Sequence, residues 1–210
     1  AKCAMPETAI GFFPDVGGSF FLSRINKGIG LYLGLTGHIL NATEILTLGL
    51  ATHYQRSDNI SSFQHKYISN GSLEDTTRFP SEHSKILENK NFIQDTFQGN
   101  LHTILNTLKH SNLSFAKKVL AHLLTRCPMS LAVTVELLKR AENLSLKDCL
   151  KMEFQLSQHI VYRDDFNEGI NNVLVSKENN PKWNPSTIND INFEEVKKFF
   201  NPHIEPLNLE

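Results

Sequence analysis

The run AMPETAIGFFPDVGGSFF, residues 4–21, sets two carboxylates, Glu7 and Asp15, in an otherwise apolar stretch broken by Gly11, Pro14 and the Gly17-Gly18 pair. An unpaired charge is costly to bury, so two acids here need a reason. Pro and Gly are the poorest helix formers, which argues against an uninterrupted helix from Glu7 to Asp15. The segment must fold back. A strand-end Glu7 followed by a turn-borne Asp15 brings both side chains to one pocket, where low dielectric and mutual repulsion push their protonation states apart, as acid and base work requires. The residues alone also admit a plainer reading, with Glu7 capping a helix and Asp15 opening a turn beside Gly17.

The bulk of the chain narrows the possible partners. At 210 residues it is long enough for a sizeable core. With 21 Lys+Arg against 22 Asp+Glu the net charge is -1, so there is no basic field to gather nucleic acid or an anionic membrane. No apolar run approaches the ~18 to 20 residues that span a bilayer, and a soluble protein is expected. Cys3, Cys127 and Cys149 are far apart and odd in number, which argues against a disulfide framework and fits a reducing compartment. The opening AKCAMPETAI lacks a charged leader and reads as a start in mid-domain.

Outward from the acidic bend, SFFLSRI is expected to open a helix after the Gly pair. GIGLYLGLTG then offers Leu31, Leu33 and Leu35 to close neighbours, its glycines predicting tight contacts between elements. Asn41 and Glu44 form a capping-box pattern for a short helix ending near Gly49, and ATHYQ, residues 51–55, reads as a brief strand. Residues 69–91 are polar and carry Gly, Pro, Ser and Thr, the pattern of a long surface connection. Helical patterns follow in FAKKVLAHLLTR, in SLAVTVELLKRA after Pro128, and in SLKDCLKMEFQLSQHI. In the last, Ser145 and Asp148 resemble a capping box and Leu146, Cys149, Leu150, Phe154, Leu156 and Ile160 share one arc. The chain thus divides into 1–68 with the carboxylate motif, the 69–91 connection, and a helical region over 92–210.

Other chemistry is weakly signalled. The nine histidines are dispersed without HExxH or CxxC spacing, so no metal is expected, and Ser130 lacks the GxSxG elbow of a serine nucleophile. Asp165 and Glu168 in DFNEG are better read as an acidic helix start than as catalytic acids. Trp183, in NPKWNP, reads as an anchor that pins the tail to the body.

AMPETAIGFFPDVGGSFFLSRI, residues 4–25, closely resembles the signature of the 3-hydroxyisobutyryl-CoA hydrolases, a branch of the crotonase superfamily. LYLGLTGHILNATEILTLGLATHY, CPMSLAVTVELLKR, LSLKDCLKMEFQLSQ and RDDFNEGINNVLVSKENNPKWNP resemble successive later segments of that family, with the poorest agreement over residues 69–91. The resemblance implies an α/β crotonase-like fold, a ββα superhelix core with a helix-rich C-terminal part. It also implies hydrolysis of an acyl-CoA thioester to a hydroxy acid and free coenzyme A, without a metal or redox cofactor, in the mitochondrial matrix. Glu7 falls on the family acid that attacks the thioester carbonyl or activates water, and Asp15 on the acid that binds the substrate hydroxyl and moves a proton. An oligomer of identical chains is left open, as are a hydratase or isomerase activity and a non-catalytic scaffold in a mitochondrial assembly.

Two departures accompany the resemblance. Crotonase relatives supply the oxyanion-stabilising N–H groups from two loops, one glycine-rich, that precede the P-E-T segment, and most core strands lie there too. These 210 residues are therefore expected to lack both the oxyanion loops and the N-terminal core strands, and to be nearly inactive alone. Relatives also carry two further apolar residues between the Cys and the Ala-Met-Pro-Glu run, whereas Ala4 follows Cys3 directly. That shortens a strand leading to Glu7 by ~7 Å.

Overall fold

The computed structural model describes residues 1–26, 28–71, 83–202 and 204–209. The chain separates into two compact units, one formed by Ala1–Cys3 with Ile39–Glu88 and the other by Ala4–His38 with Asn89–Glu210. In the larger unit a 3-10 turn, Glu7–Ile10, is followed by α1 (Gly18–Leu22) and α2 (Ile29–Thr36). The smaller unit holds α3 (Ala42–Thr47), α4 (Ile60–Asn70) and α5 (Lys85–Glu88). The chain then continues in the larger unit through α6 (Lys90–Thr96), α7 (Leu101–His110), α8 (Ser114–Leu123), α9 (Pro128–Ala141) and α10 (Leu146–Ile160). It ends with α11 (Asp164–Gly169), which runs into a π-helical stretch Ile170–Val175, and α12 (Phe193–Lys198).

In the smaller unit, Asn41 and Glu44 make the expected reciprocal box. The Asn41 side chain accepts from the Glu44 N–H and the Glu44 carboxyl from the Asn41 N–H, each at 2.9 Å. Glu44 is buried and accepts a further bond from the Ser84 hydroxyl at 2.6 Å, which satisfies an acid that burial would otherwise penalise. The ATHYQ strand does not form: residues 51–55 are irregular, and β-structure among the described residues is a single antiparallel bridge between Cys3 and Leu40. An apolar-polar alternation yields a strand only where a neighbouring edge takes up its backbone N–H and C=O groups, and among the described residues no partner runs alongside. For the same reason Glu7 does not end a strand; it opens a 3-10 turn. The described residues are helix-rich, in line with the expected helix-rich part, and none of them forms a strand of the expected ββα core. Of the polar connection, residues 72–82 lie outside those described.

In the larger unit α2 is buried almost all round, packing against α1, α6, α8 and α9. Its glycines explain the closeness. A Cβ on Gly30 would collide with the Leu22 carbonyl, so α1 and α2 meet backbone to backbone. Pro128 starts α9 at the position where its missing N–H costs nothing, and Leu131, Val133 and Leu137 from that helix join Phe13, Leu22, Ile29 and Leu35 in the core. The α10 helix starts on Ser145, whose hydroxyl oxygen accepts the Asp148 N–H at 3.1 Å. Its buried arc is narrower than the sequence pattern, running through Cys149, Glu153, Leu156 and Ile160 and leaving Leu146 exposed.

Gly30→Ala is expected to force α1 and α2 apart and to destabilise the protein by about 1–3 kcal/mol, as overpacking of a close contact does. Urea unfolding followed by circular dichroism checks this, and a midpoint equal to that of the parent contradicts the backbone contact.

Candidate functional site

The bend that carries both acids is fixed at each end by backbone. Gly11, at φ 74, closes the 3-10 turn in the left-handed region that a side chain disfavours. A Cβ there would strike the Asp165 carbonyl, and one on Gly169 would strike the Ile10 carbonyl, so α11 is pressed onto the turn. From the other side, the buried Thr8 hydroxyl donates to the Leu35 carbonyl at 3.0 Å, and the Cys127 N–H donates to the Thr8 carbonyl at 3.1 Å. The next carbonyl of α2, that of Thr36, receives the His122 ring nitrogen at 2.7 Å and the Arg126 guanidinium at 3.4 Å. Burial and the neighbouring charges of Arg126 and His38 hold His122 below its ordinary value, against the Thr36 contact.

Within this frame Glu7 and Asp15 are both half-buried. Burial lifts the Glu7 carboxyl from 4.5 to about 7; its own backbone N–H works against the rise and the charge of Asp15 adds to it. Burial also raises Asp15, again opposed by a backbone hydrogen bond. The structure thus brings the two predicted residues within electrostatic reach of each other. Glu7 Oε2 is shut off from solvent and takes no hydrogen bond within the protein. Of the plainer reading, only the half at Asp15 is present: its carbonyl accepts the Gly18 N–H at 2.8 Å, whereas Glu7 caps no helix, since Pro6 is the N-cap of the 3-10 element and no side chain bonds its first N–H groups.

The remaining candidates are accounted for structurally. Asp165 is buried, its carboxyl accepting the Asn184 N–H at 2.6 Å and lying 3.3 Å from Arg163, while Glu168 accepts the Lys182 N–H at 2.7 Å. Both acids tie down the tail, and the Trp183 indole adds a bond to the Thr125 carbonyl at 3.3 Å. Cys127 is a packing thiol, pushed up to about 11 chiefly by burial. No group of three or more metal-ligating side chains occurs among the described residues. A groove of about 810 Å³ lined by Ser23, Gly28, Phe97, Leu101, Lys139 and Phe193 lies elsewhere in the larger unit, and neither Glu7 nor Asp15 lines it.

One residue that sequence reasoning missed is Glu153. It is buried, and its carboxyl accepts the Gly17 N–H at 2.8 Å, the Ser19 N–H at 3.0 Å and the Ser19 hydroxyl at 2.5 Å. The signal was its position on α10, four residues after Cys149 and three before Leu156, at the centre of an arc read as wholly apolar.

A helical body that holds an acid pair in a glycine-bounded bend is similar to a known class. A family model described as Enoyl-CoA hydratase/isomerase matches residues 1–200, and the chain belongs to that family. Among curated relatives, the mitochondrial 3-hydroxyisobutyryl-CoA hydrolase of Xenopus laevis is 36% identical over 94% of this chain and 55% of its own length. That of Homo sapiens is 32% identical over 95% of this chain and 56% of its own. A solved carnitinyl-CoA dehydratase from Mycobacterium thermoresistibile is similar with a TM-score of 0.90 at 33% identity, covering 99% of this chain and 61% of that one. An enoyl-CoA hydratase from Rhodobacter sphaeroides 2.4.1 gives 0.84 at 26% identity, covering 96% and 59%. The fold is thus that of a portion of a crotonase-like enoyl-CoA hydratase, and the chain spans about half the length of the curated relatives it matches.

Because folding raises the Glu7 carboxyl, the folded chain holds that proton more tightly than the unfolded one between 4.5 and about 7, so stability falls as pH rises across that window. Glu7→Gln removes this loss. Its urea midpoint is expected to exceed the parent's at about pH 8 and to converge on it near the 4.5 lower limit; an equal difference at both ends contradicts the raised value.

Proposed function

We propose that the whole protein to which these residues belong hydrolyses the thioester of 3-hydroxyisobutyryl-CoA, giving 3-hydroxyisobutyrate and free coenzyme A, in valine breakdown within the mitochondrial matrix. The observation that carries this reading is the pair Glu7 and Asp15 in one half-buried bend, with burial holding Glu7 at about 7. The hydrolase and mitochondrial names of the relatives at 36% and 32% identity support it, as does their match over 94% and 95% of this chain. A carboxyl poised near neutrality has the proton affinity that a general base needs.

In this reading Glu7 acts on the thioester carbonyl, either by direct attack or by taking a proton from an attacking water. The carbonyl carbon becomes tetrahedral and its oxygen anionic; the C–S bond then breaks and coenzyme A leaves as the thiol after gaining a proton. With water as the attacking group the hydroxy acid forms directly; with Glu7 as the attacking group a mixed anhydride forms, which a water molecule then cleaves to release the hydroxy acid and restore the Glu7 carboxylate. Asp15 binds the substrate hydroxyl and passes protons. The N–H groups that stabilise the oxyanion, and the ββα strands of the core, are assigned to parts of the whole protein outside these 210 residues, with residues 1–68 as the C-terminal part of that core. No metal or redox cofactor enters the mechanism, because carboxylate chemistry suffices for acyl transfer to water.

Thiol release from 3-hydroxyisobutyryl-CoA by the whole protein tests the reading. Glu7→Gln is expected to lower kcat by at least about 10², and kcat/KM of the parent to rise as pH increases through about 7. Loss of conjugated absorbance from a 2-enoyl-CoA without thiol release would instead establish a hydratase. Absence of any turnover together with stoichiometric recovery of partner proteins would establish a scaffold.

A further inference from the structure

The turn between Asp15 and Ser19 holds an uncommon backbone. Val16 sits at φ 50, a left-handed conformation that β-branched residues rarely adopt, with its side chain 83% exposed and so without packing to compensate. Gly17 follows at φ 85 and serves as the N-cap of α1. Glycine is required by that backbone and has no side chain with which to cap, so the first N–H groups of α1 need acceptors from elsewhere. The Asp15 carbonyl takes that of Gly18, and Glu153, more than a hundred residues away in sequence, takes those of Gly17 and Ser19 and the Ser19 hydroxyl.

Strained backbone persists only where the surroundings over-determine it. Here the fixing groups come from α10. Glu153 receives three donors on two oxygens, and the Cys149 thiol one turn earlier also meets Ser19. Asp15 is the residue immediately before the strained Val16, its carbonyl is tied into this turn by the Gly18 N–H, and its charge acts on Glu7.

We propose that Glu153 is a positioning residue that acts through Asp15: its carboxyl holds the Asp15–Ser19 turn in the left-handed conformation that turns Asp15 toward Glu7. The proposal rests on the assignment of Asp15 to the reaction. A glutamine at 153 keeps the size and leaves one acceptor oxygen, but turns an amide N–H₂ toward backbone donors, so the turn loses part of its hold without a cavity being made. Displacing a catalytic group by a fraction of an ångström is enough to slow chemistry.

The test is a double-mutant cycle in the whole protein, reading thiol release from 3-hydroxyisobutyryl-CoA. Glu153→Gln is expected to lower kcat roughly ten- to a hundredfold with KM nearly unchanged, and to have less than about a twofold effect once Asp15 is Asn. A general structural role gives the same loss in both backgrounds. Ser19→Ala provides a milder variant that keeps the acid and both backbone donors, so that a poorly folded Glu153→Gln does not close the question. It is expected to lower kcat by about threefold, a loss that likewise vanishes with Asn at 15. If Asp15→Asn is impaired while Glu153→Gln and Ser19→Ala keep parental kcat, or lose equally in both backgrounds, the positioning role is overturned alone. Parental turnover by Asp15→Asn overturns the role of Asp15 and the proposal with it.

Discussion

Thr8 joins three elements at the one place where the chain bends with two acids. Its hydroxyl gives the Leu35 carbonyl a partner near the end of α2, and its carbonyl gives the Cys127 N–H a partner at the start of α9. Each of these groups, left unmade in a dry interior, would cost about 1–3 kcal/mol. The 3-10 turn therefore cannot slide along α2 or α9 without orphaning buried polar groups. With α11 pressed on the same turn at Gly11 and Gly169, the backbone around Glu7 is set before the carboxyl itself contributes anything.

That order of cause matters for the chemistry. A carboxyl on a mobile loop would turn to water and keep its ordinary acidity, whereas one attached to a backbone fixed on both sides must accept the solvation it is given. At Glu7 that solvation is poor, and its effect outweighs the backbone hydrogen bond that favours the charged form. Asp15 adds to the rise because the chain, turned at Gly11 and Pro14, brings a second negative charge near the first. The perturbed value follows first from the burial imposed by packing around Thr8, with a smaller addition from the charge of Asp15.

The parts of this arrangement that were legible in the sequence are those fixed by neighbours in the chain. The Asn41–Glu44 box, the Ser145 cap, Pro128 at a helix start and the break between Glu7 and Asp15 all depend on residues within a few positions of one another. What was not legible depends on partners far away. ATHYQ has the local pattern of a strand but, among the described residues, no neighbouring edge. Glu153 was hidden because an acid on an apolar helical arc can be read only when its donors are known, and those are backbone N–H groups of residues that carry no polar side chain at Gly17 and a common one at Ser19. The acidic pair itself was visible as residue types, while its raised proton affinity was not, since burial is a property of the whole fold.

The buried acids of this chain differ in whether their acceptor capacity is already used, and that difference separates structural from chemical candidates. Glu44 accepts from Asn41 and Ser84, Glu153 from Gly17 and Ser19, and Asp165 from Asn184. Each is 2–3% exposed and is held by donors that would be orphaned if it moved, so its carboxyl is a structural strut. Glu7 is the reverse case: it is more exposed than these, one of its oxygens is buried without a donor, and burial has shifted its proton affinity to neutrality. A fold that supplies donors to its deep acids but leaves one oxygen of Glu7 without one, beside a second charge, carries an energetic cost at that position.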